Sequence, residues 1–416
     1  MAKSLLLVDD EPMVLSGLRR GLHSMRDEWE MEFAASGEEA LRAMATQSFD
    51  VIVTDMRMPG MDGAQLLNEV RRRSPQTIRV VLSGQCDRET ILRAVGATHQ
   101  YVSKPCDARQ LRDTIKQAVA LRSQLETANL AKIVSQLKTI PSLPASFQAM
   151  MEELGRSEPR LNKLATLVSR DMGMAAKCLQ LVNSAFFGLR SPVSNPLQAL
   201  SLLGLDTLKS LILSSHIFSA FKTGLFDARE IGWLWEHSFA VSICARRIAE
   251  TEGASPKQID DAVAAGLLHD TGKLVLASCM ASEYRMVLDL ATSMKLSLID
   301  AEREVLGCGH AEVGAYLLGL WGLPDPIVEA VAFHLSPLTA CSAAYSTACE
   351  TACVAPAFSA LTAVHAACAY HTAQCTSRLS DVATLDTAYL TRLGLVHQVP
   401  AWFAACDKAM HVADSC

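Results

Sequence analysis

The sequence predicts two unlike units in tandem: an α/β domain with a doubly wound parallel sheet, then an all-α helical bundle. Three observations point there. The short apolar runs Ser4–Val8, Val51–Val53, Ile78–Leu82 and Tyr101–Ser103 alternate with the helix-like stretches Met13–Met25, Gly37–Thr46, Ala64–Arg73 and Arg88–Val95. Such alternation places helices over both faces of a parallel sheet, whose buried strands then read as continuous apolar runs. From Leu143 onward the strand pattern is lost and helices follow one another through short loops, the signature of a bundle. Finally, 416 residues exceed one ordinary core and suggest two or three domains, and a 50% hydrophobic content lets each bury its own.

Within the α/β half, Asp9, Asp10, Asp55, Ser83 and Lys104 each stand where a strand ends. In open α/β sheets ligands bind beyond the carboxyl ends of the strands, so these residues are expected to converge. The set suits phosphoryl transfer to a carboxylate. Two anions repel unless a divalent cation is shared between them, and Mg²⁺ needs only one or two carboxylates beside phosphate and water. Asp9 and Asp10 offer those carboxylates, Asp55 is the nucleophile, Lys104 neutralises one phosphoryl oxygen and Ser83 offers a hydroxyl to another.

Between the halves, Asp107 to Leu137 contains neither proline nor glycine. Leu111, Ala118, Leu121, Leu125 and Ala128 approximate a narrow heptad-like seam. A helix of ~30 residues would make a rod of ~45 Å, ended by Ile140-Pro141-Ser142-Leu143-Pro144. Two readings stand, a signalling helix carrying the state of the first domain and a passive rigid spacer.

In the helical half, Asp171–Gly188 reads as an amphipathic helix running into a glycine-ended aromatic turn, and Leu197–Leu203 and Asp206–Phe218 read as two more helices. A lone histidine on an apolar face is ordinarily a satisfied core residue. Here His237, His269, His310 and His334 recur at ligand-like positions, with Asp270 fused to His269. Such a set can bind a divalent metal and activate water against a phosphate ester, with Lys273 holding a phosphoryl oxygen.

Composition excludes several classes. A net charge of −6 and a pI near 6.0 give no electrostatic case for nucleic-acid binding. Arg71-Arg72-Arg73 reads as a dipole-complementing helix end, and no basic recognition helix is present, so direct DNA binding is not expected. Met1-Ala2-Lys3 leads straight into a strand, and no run approaches the ~20 apolar residues of a membrane span. A cytoplasmic location follows as the expectation. The 13 cysteines lack paired spacing; Cys341, Cys349, Cys353, Cys368 and Cys375 lie in an alanine-rich tract and read as small buried hydrophobes.

Residues 1–120 resemble the receiver domain of two-component response regulators, through Val8-Asp9-Asp10-Glu11-Pro12, Val53-Thr54-Asp55-Met56-Arg57-Met58-Pro59-Gly60, Ser83 and Tyr101-Val102-Ser103-Lys104-Pro105, with Gly63 also in agreement. The resemblance implies a flavodoxin-like five-stranded sheet and phosphorylation of Asp55 by a cognate histidine kinase. It implies Mg²⁺ held by Asp9, Asp10, Asp55 and the backbone carbonyl of Arg57, with Ser83 and Tyr101 as switch residues. Residues 107–137 would be a linker helix continuous with the last receiver helix.

Residues 140–335 resemble the HDOD output domain of the HD superfamily. The matching segments are Leu143-Pro144, Leu181–Gly188, Leu202–Leu208, Ala265–Lys273 and His310–Gly314, and 336–416 would complete the bundle. Departures from the catalytic HD-GYP relatives matter. Those enzymes carry adjacent histidines where His334-Leu335 stands, a Gly-Tyr-Pro motif absent here, and a distal aspartate where Cys368 falls. The expectation is therefore a response regulator whose HDOD domain acts without catalysis, through contacts with other signalling proteins; a homodimer is compatible with it. The alternative is a receiver-gated, metal-dependent phosphohydrolase or cyclic-di-nucleotide phosphodiesterase built on His237, His269, Asp270, Lys273, His310 and His334. The sequence favours Mg²⁺ in the receiver over a second metal in the HDOD domain.

Overall fold

The computed structural model describes residues 3–83, 98–104, 108–124, 149–150, 152–154, 156, 159–183, 192–204, 226, 228–340, 358–374, 379 and 384–413. The expected helices at Arg88–Val95 and Asp206–Phe218, the linker beyond Gln124, and Cys341, Cys349, Cys353 and Cys375 lie outside these residues.

The first half is a five-stranded parallel sheet of order β2-β1-β3-β4-β5, formed by β1 (Lys3–Val8), β2 (Trp29–Ala34), β3 (Val51–Asp55), β4 (Ile78–Ser83) and β5 (Gln100–Ser103). Leu5, Leu6 and Leu7 are all buried, as are Val51, Ile52 and Val53, because helices cover both faces. Four strands were legible as apolar runs. β2 was not, since Trp29-Glu30-Met31-Glu32-Phe33 alternates charge with apolar residues. Its edge position explains the charges, which discourage pairing with another chain.

The covering helices are α1 (Pro12–Gly21), α2 (Gly37–Thr46), α3 (Gly63–Arg73) and α4 (Ala108–Gln124). α3 opens on a capping box in which Asp62 and Gln65 satisfy each other's backbone N–H groups. The helix expected over Met13–Met25 ends at Gly21. The chain then tightens into a 3-10 turn, His23–Met25, that tucks Leu22 and Met25 into the core.

The second half is all helical among the described residues. It comprises α5 (Leu161–Ser169), α6 (Met172–Asn183), α7 (Pro196–Leu203), α8 (Ala228–Thr251), α9 (Pro256–Leu268), α10 (Thr271–Cys279), α11 (Ala281–Met294), α12 (Leu298–Leu306), α13 (His310–Leu320), α14 (Asp325–Phe333), α15 (Pro337–Ala340), α16 (Ala360–Gln374), α17 (Thr387–Leu393) and α18 (Val399–Ala413). α8 is the hub, packed against α9, α16 and α18. α16 is buried on every side from Ala360 to Thr372, and its alanines let α8, α9, α14 and α18 approach closely. α13 packs on α10 and α14, and also on α4 of the sheet domain. No helix among the described residues is long and apolar enough to cross a membrane.

Lys177 of α6 is buried with its ammonium 4.9 Å from the Trp321 ring centroid. Burial pushes its pKa down to about 7. Below pH 7 the side chain is charged in both states, so the folded chain bears the desolvation cost in full. As pH rises from 7 towards the usual lysine value, the unfolded chain holds more protons and folding gains. Each unit of depression is worth ~1.4 kcal/mol, offset in part by the ring face. Lys177→Met is expected to stabilise the protein at pH 6 and to flatten the rise in stability towards pH 9, read by urea unfolding at both pH values.

Candidate functional sites: an acidic pocket on the sheet and a buried histidine cluster

At the carboxyl edge of the sheet, Lys104 binds Asp9 Oδ2 at 2.8 Å and pairs with Asp55 Oδ1. Asp9 Oδ1 accepts from the Glu11 N–H at 2.9 Å, and Asp55 Oδ2 from the Arg57 N–H at 2.7 Å. Both carboxylates are thus aimed by backbone turns as well as by the ammonium. Asp10 is half-buried beside Asp9. Burial raises the Asp55 carboxyl above its ordinary value despite Lys104 and Arg57. Burial would lower the Lys104 ammonium, but Asp55 and Asp9 outweigh it and hold the pKa up. Gly63 makes the turn after β3 compact, since a Cβ there would meet the Asp55 carbonyl oxygen at 2.2 Å. Ser83 closes β4 and Tyr101 sits in β5, both on the strands that flank this pocket.

The second cluster lies where α8, α9, α10, α13, α14 and α16 meet. His237, His269, Asp270, Lys273, His310 and His334, dispersed over almost a hundred residues of sequence, come together with none more than 2% exposed. Three histidines have their Nδ1–H groups engaged by oxygen: His269 on the Gly266 carbonyl (2.8 Å), His310 on Glu302 Oε2 (2.7 Å) and His334 on the Val331 carbonyl (2.9 Å). Those oxygens only accept, so each of the three rings carries a proton on Nδ1 and turns its Nε2 inwards. Burial holds His237 and His334 well below the usual imidazole value and His269 below it. Asp270 is opposite in sense. Burial would raise its carboxyl, but His269, Lys273, His310 and His237 outweigh that and keep it ionised.

Lys273 does not face an open cleft. Its ammonium donates to Asp270 Oδ2 and to the Leu379 carbonyl, both at 2.9 Å. His237 is held between two rings, its Nε2 3.2 Å from His269 Nε2 and its Nδ1 2.8 Å from His371 Nδ1, while it stacks on Trp233. Cys368 Sγ lies 3.9 Å from His237 Nε2. Sequence reasoning missed His371, Glu302 and Tyr284. His371 follows Cys368 by one helical turn on α16, which was a usable signal. Glu302, bound by Tyr284 OH at 2.8 Å and by the His310 N–H at 2.7 Å, carried none, because a lone glutamate in a charged helix reads as solvated.

Gly272 sets the geometry of this cluster. A Cβ there would sit 1.9 Å from the His310 carbonyl oxygen and 2.9 Å from the Gly314 N, so only glycine lets α10 and α13 touch. Gly272→Ala is expected to destabilise the protein by at least the ~1–3 kcal/mol typical of overpacking, read as a lower urea midpoint. An unchanged midpoint would mean that α10 and α13 are not in this contact.

A parallel sheet of this order with two carboxylates and a lysine at its edge defines a phosphoacceptor-type signalling domain; the buried His-Asp pair within helices defines an HD-type bundle. Residues 5–116 match the model of the response regulator receiver domain, and residues 140–337 match that of the HDOD domain. The chain thus joins a response regulator receiver domain to an HDOD domain. Receiver domains generally bind Mg²⁺ and interact with a phosphodonor such as a histidine kinase.

Among curated proteins, an uncharacterized protein of Treponema pallidum is 28% identical over 53% of this chain and 43% of its own length. The hydrogenase transcriptional regulatory protein HoxA of Cupriavidus necator is 34% identical over 38% of this chain and 32% of its own. The chain thus spans less than half the length of these relatives. Among solved structures, the MmoQ response regulator of Methylococcus capsulatus is 24% identical with a TM-score of 0.46, over 64% of this chain and 97% of that one.

Proposed function

We propose that Asp55 accepts a phosphoryl group and that the HDOD domain responds by changing its contacts with other signalling proteins, without catalysing a reaction itself. The observation that carries the first half is the pocket in which Lys104 bridges Asp9 and Asp55 while the Arg57 N–H holds the second Asp55 oxygen. Asp55 attacks the phosphorus of the donor as the bond to the donor's leaving group breaks, and Lys104 remains beside the new phosphoryl oxygens. The donor set of Asp9, Asp10, Asp55 and the Arg57 carbonyl is all oxygen, which fits Mg²⁺. That ion, when bound, supplies charge neutralisation between carboxylate and phosphoryl group. The added charge of about −2 is enough to bias a two-state element, for which Ser83 and Tyr101 are the proposed switch residues.

Two features support a non-catalytic output. The His-Asp cluster is buried throughout, and Lys273 is occupied by protein oxygens. α4 of the receiver packs on α13, the helix that begins with His310, which supports a direct route between the halves. We assign the receiver to 1–120, the HDOD domain to 140–335 and a completing extension to 336–416. α16, which lies beyond the matched region, packs into the bundle and brings Cys368 and His371 to the cluster. The test is labelling with a small phosphodonor and Mg²⁺, followed by amide exchange across α13. Labelling at Asp55 with altered exchange in α13 supports the reading. Phosphodiester turnover lost in Asp270→Ala would replace it with the hydrolase.

A further inference from the structure

We propose that a cavity between α5, α7, α8 and α9 binds a free α-amino acid with a small aliphatic side chain, its carboxylate on Arg246 and its ammonium on Asp260. This gives the helical half a small-molecule input; it goes beyond the adaptor reading and does not rest on it. The cavity holds about 180 Å³. An apolar cavity of about 150 Å³ admits benzene, so a body of roughly six to nine heavy atoms fits here. The cavity lies apart from the histidine cluster. Phe239, Ser242, Ile243 and Arg246 line it and share one face of α8. At about 100° per residue, His237 stands on the opposite face of that helix.

The polar groups of the cavity call for a zwitterion. Arg246, exposed at the rim, has no hydrogen-bond or ion-pair partner among the described residues, whereas its neighbour Arg247 pairs with Glu250 at 2.8 Å. Asp260 lines the same cavity without pairing with Arg246. Its Oδ1 accepts from Asn195 Nδ2 at 3.1 Å, and its second oxygen has no partner among the described residues. The Asn195 amide is itself fixed, because its Oδ1 caps α7 by accepting from the Leu197 and Gln198 N–H groups. Ser242 is 5% exposed and lines the cavity, with its hydroxyl unpartnered among the described residues. Gly266 lets α9 touch α8 here, since a Cβ would lie 2.8 Å from the Ser242 Cα. A buried hydroxyl without a partner is costly, and a charged ligand head satisfies it. A guanidinium takes a carboxylate through two parallel bonds, and an ammonium donates to carboxylate and hydroxyl alike. A simple anion would face Asp260 unpaired, and a simple cation would face Arg246. Only a ligand carrying both charges answers both. Leu267, Ala264 and Ile243 form the apolar wall for its side chain, and the Phe239 ring is held by the Arg170 guanidinium 4.8 Å from its centroid.

The experiment titrates the dialysed full chain by calorimetry with L-leucine, with isocaproate, which lacks the ammonium, and with isoamylamine, which lacks the carboxylate. The expected result is saturable leucine binding with a raised Tm, and each analogue at least ~10-fold weaker for the charged contact it forfeits. Arg246→Gln should weaken leucine ~10-fold or more and leave isoamylamine unchanged. Asp260→Asn should weaken leucine to a similar degree and leave isocaproate unchanged. Its amide oxygen still accepts from Asn195, so the urea midpoint should stay at the wild-type value. Leucine that fails to bind at millimolar concentration overturns the proposal. So does an analogue that binds as tightly as leucine, or leucine binding indifferent to both substitutions.

Discussion

Asp55→Asn is expected to abolish phosphoryl acceptance, with no residual labelling by a small phosphodonor on a phosphate-affinity gel. The amide keeps the size of the side chain and can still accept from the Arg57 N–H, so the fold should persist. It lacks an anionic oxygen to attack phosphorus, and the loss is therefore complete rather than graded. The change also strips Lys104 of one of the two carboxylates that hold its pKa up. Acid should slow the wild-type reaction too. Burial raises the Asp55 carboxyl, so the ionised nucleophile is lost at a higher pH than an ordinary aspartate would require. Labelling that survives in Asp55→Asn would move the acceptor to another residue and undo the pocket described here.

The second large effect is on stability. Asp270→Ala should cost ~3–5 kcal/mol, as measured when one partner of a buried ion pair is removed. It leaves the Lys273 ammonium buried with the Leu379 carbonyl, and it removes the carboxylate that His269, His310 and His237 face. For a domain of this size a loss of that order lowers Tm by ~10 °C. A Tm within a degree of wild type would mean that the pair is not buried as described.

The acidic pocket was legible because its chemistry is written in short strand-end motifs. Asp9, Asp55 and Lys104 each directly end or follow an apolar run, and strand ends in a parallel sheet converge by topology alone. The helical half was legible only in part. His269-Asp270 and Lys273 share one turn and stood out, whereas His371 and Glu302 belong to helices whose own sequence gives no reason to bring them near His269. β2 escaped notice for a related reason: its alternation with glutamate reflects an edge position, a property of the assembled sheet.

The order of domains, the sheet class and the residues of the acidic pocket follow from the sequence by itself, because each depends on residues near one another in the chain or on the periodicity of burial. Tertiary structure alone decided which side chains of α8, α12 and α16 join the His-Asp pair, and that Lys273 is occupied. Those outcomes depend on helix packing across more than a hundred residues, including the backbone approach that Gly272 permits. Local sequence does not encode such approaches; they arise only when the faces of several helices are buried together.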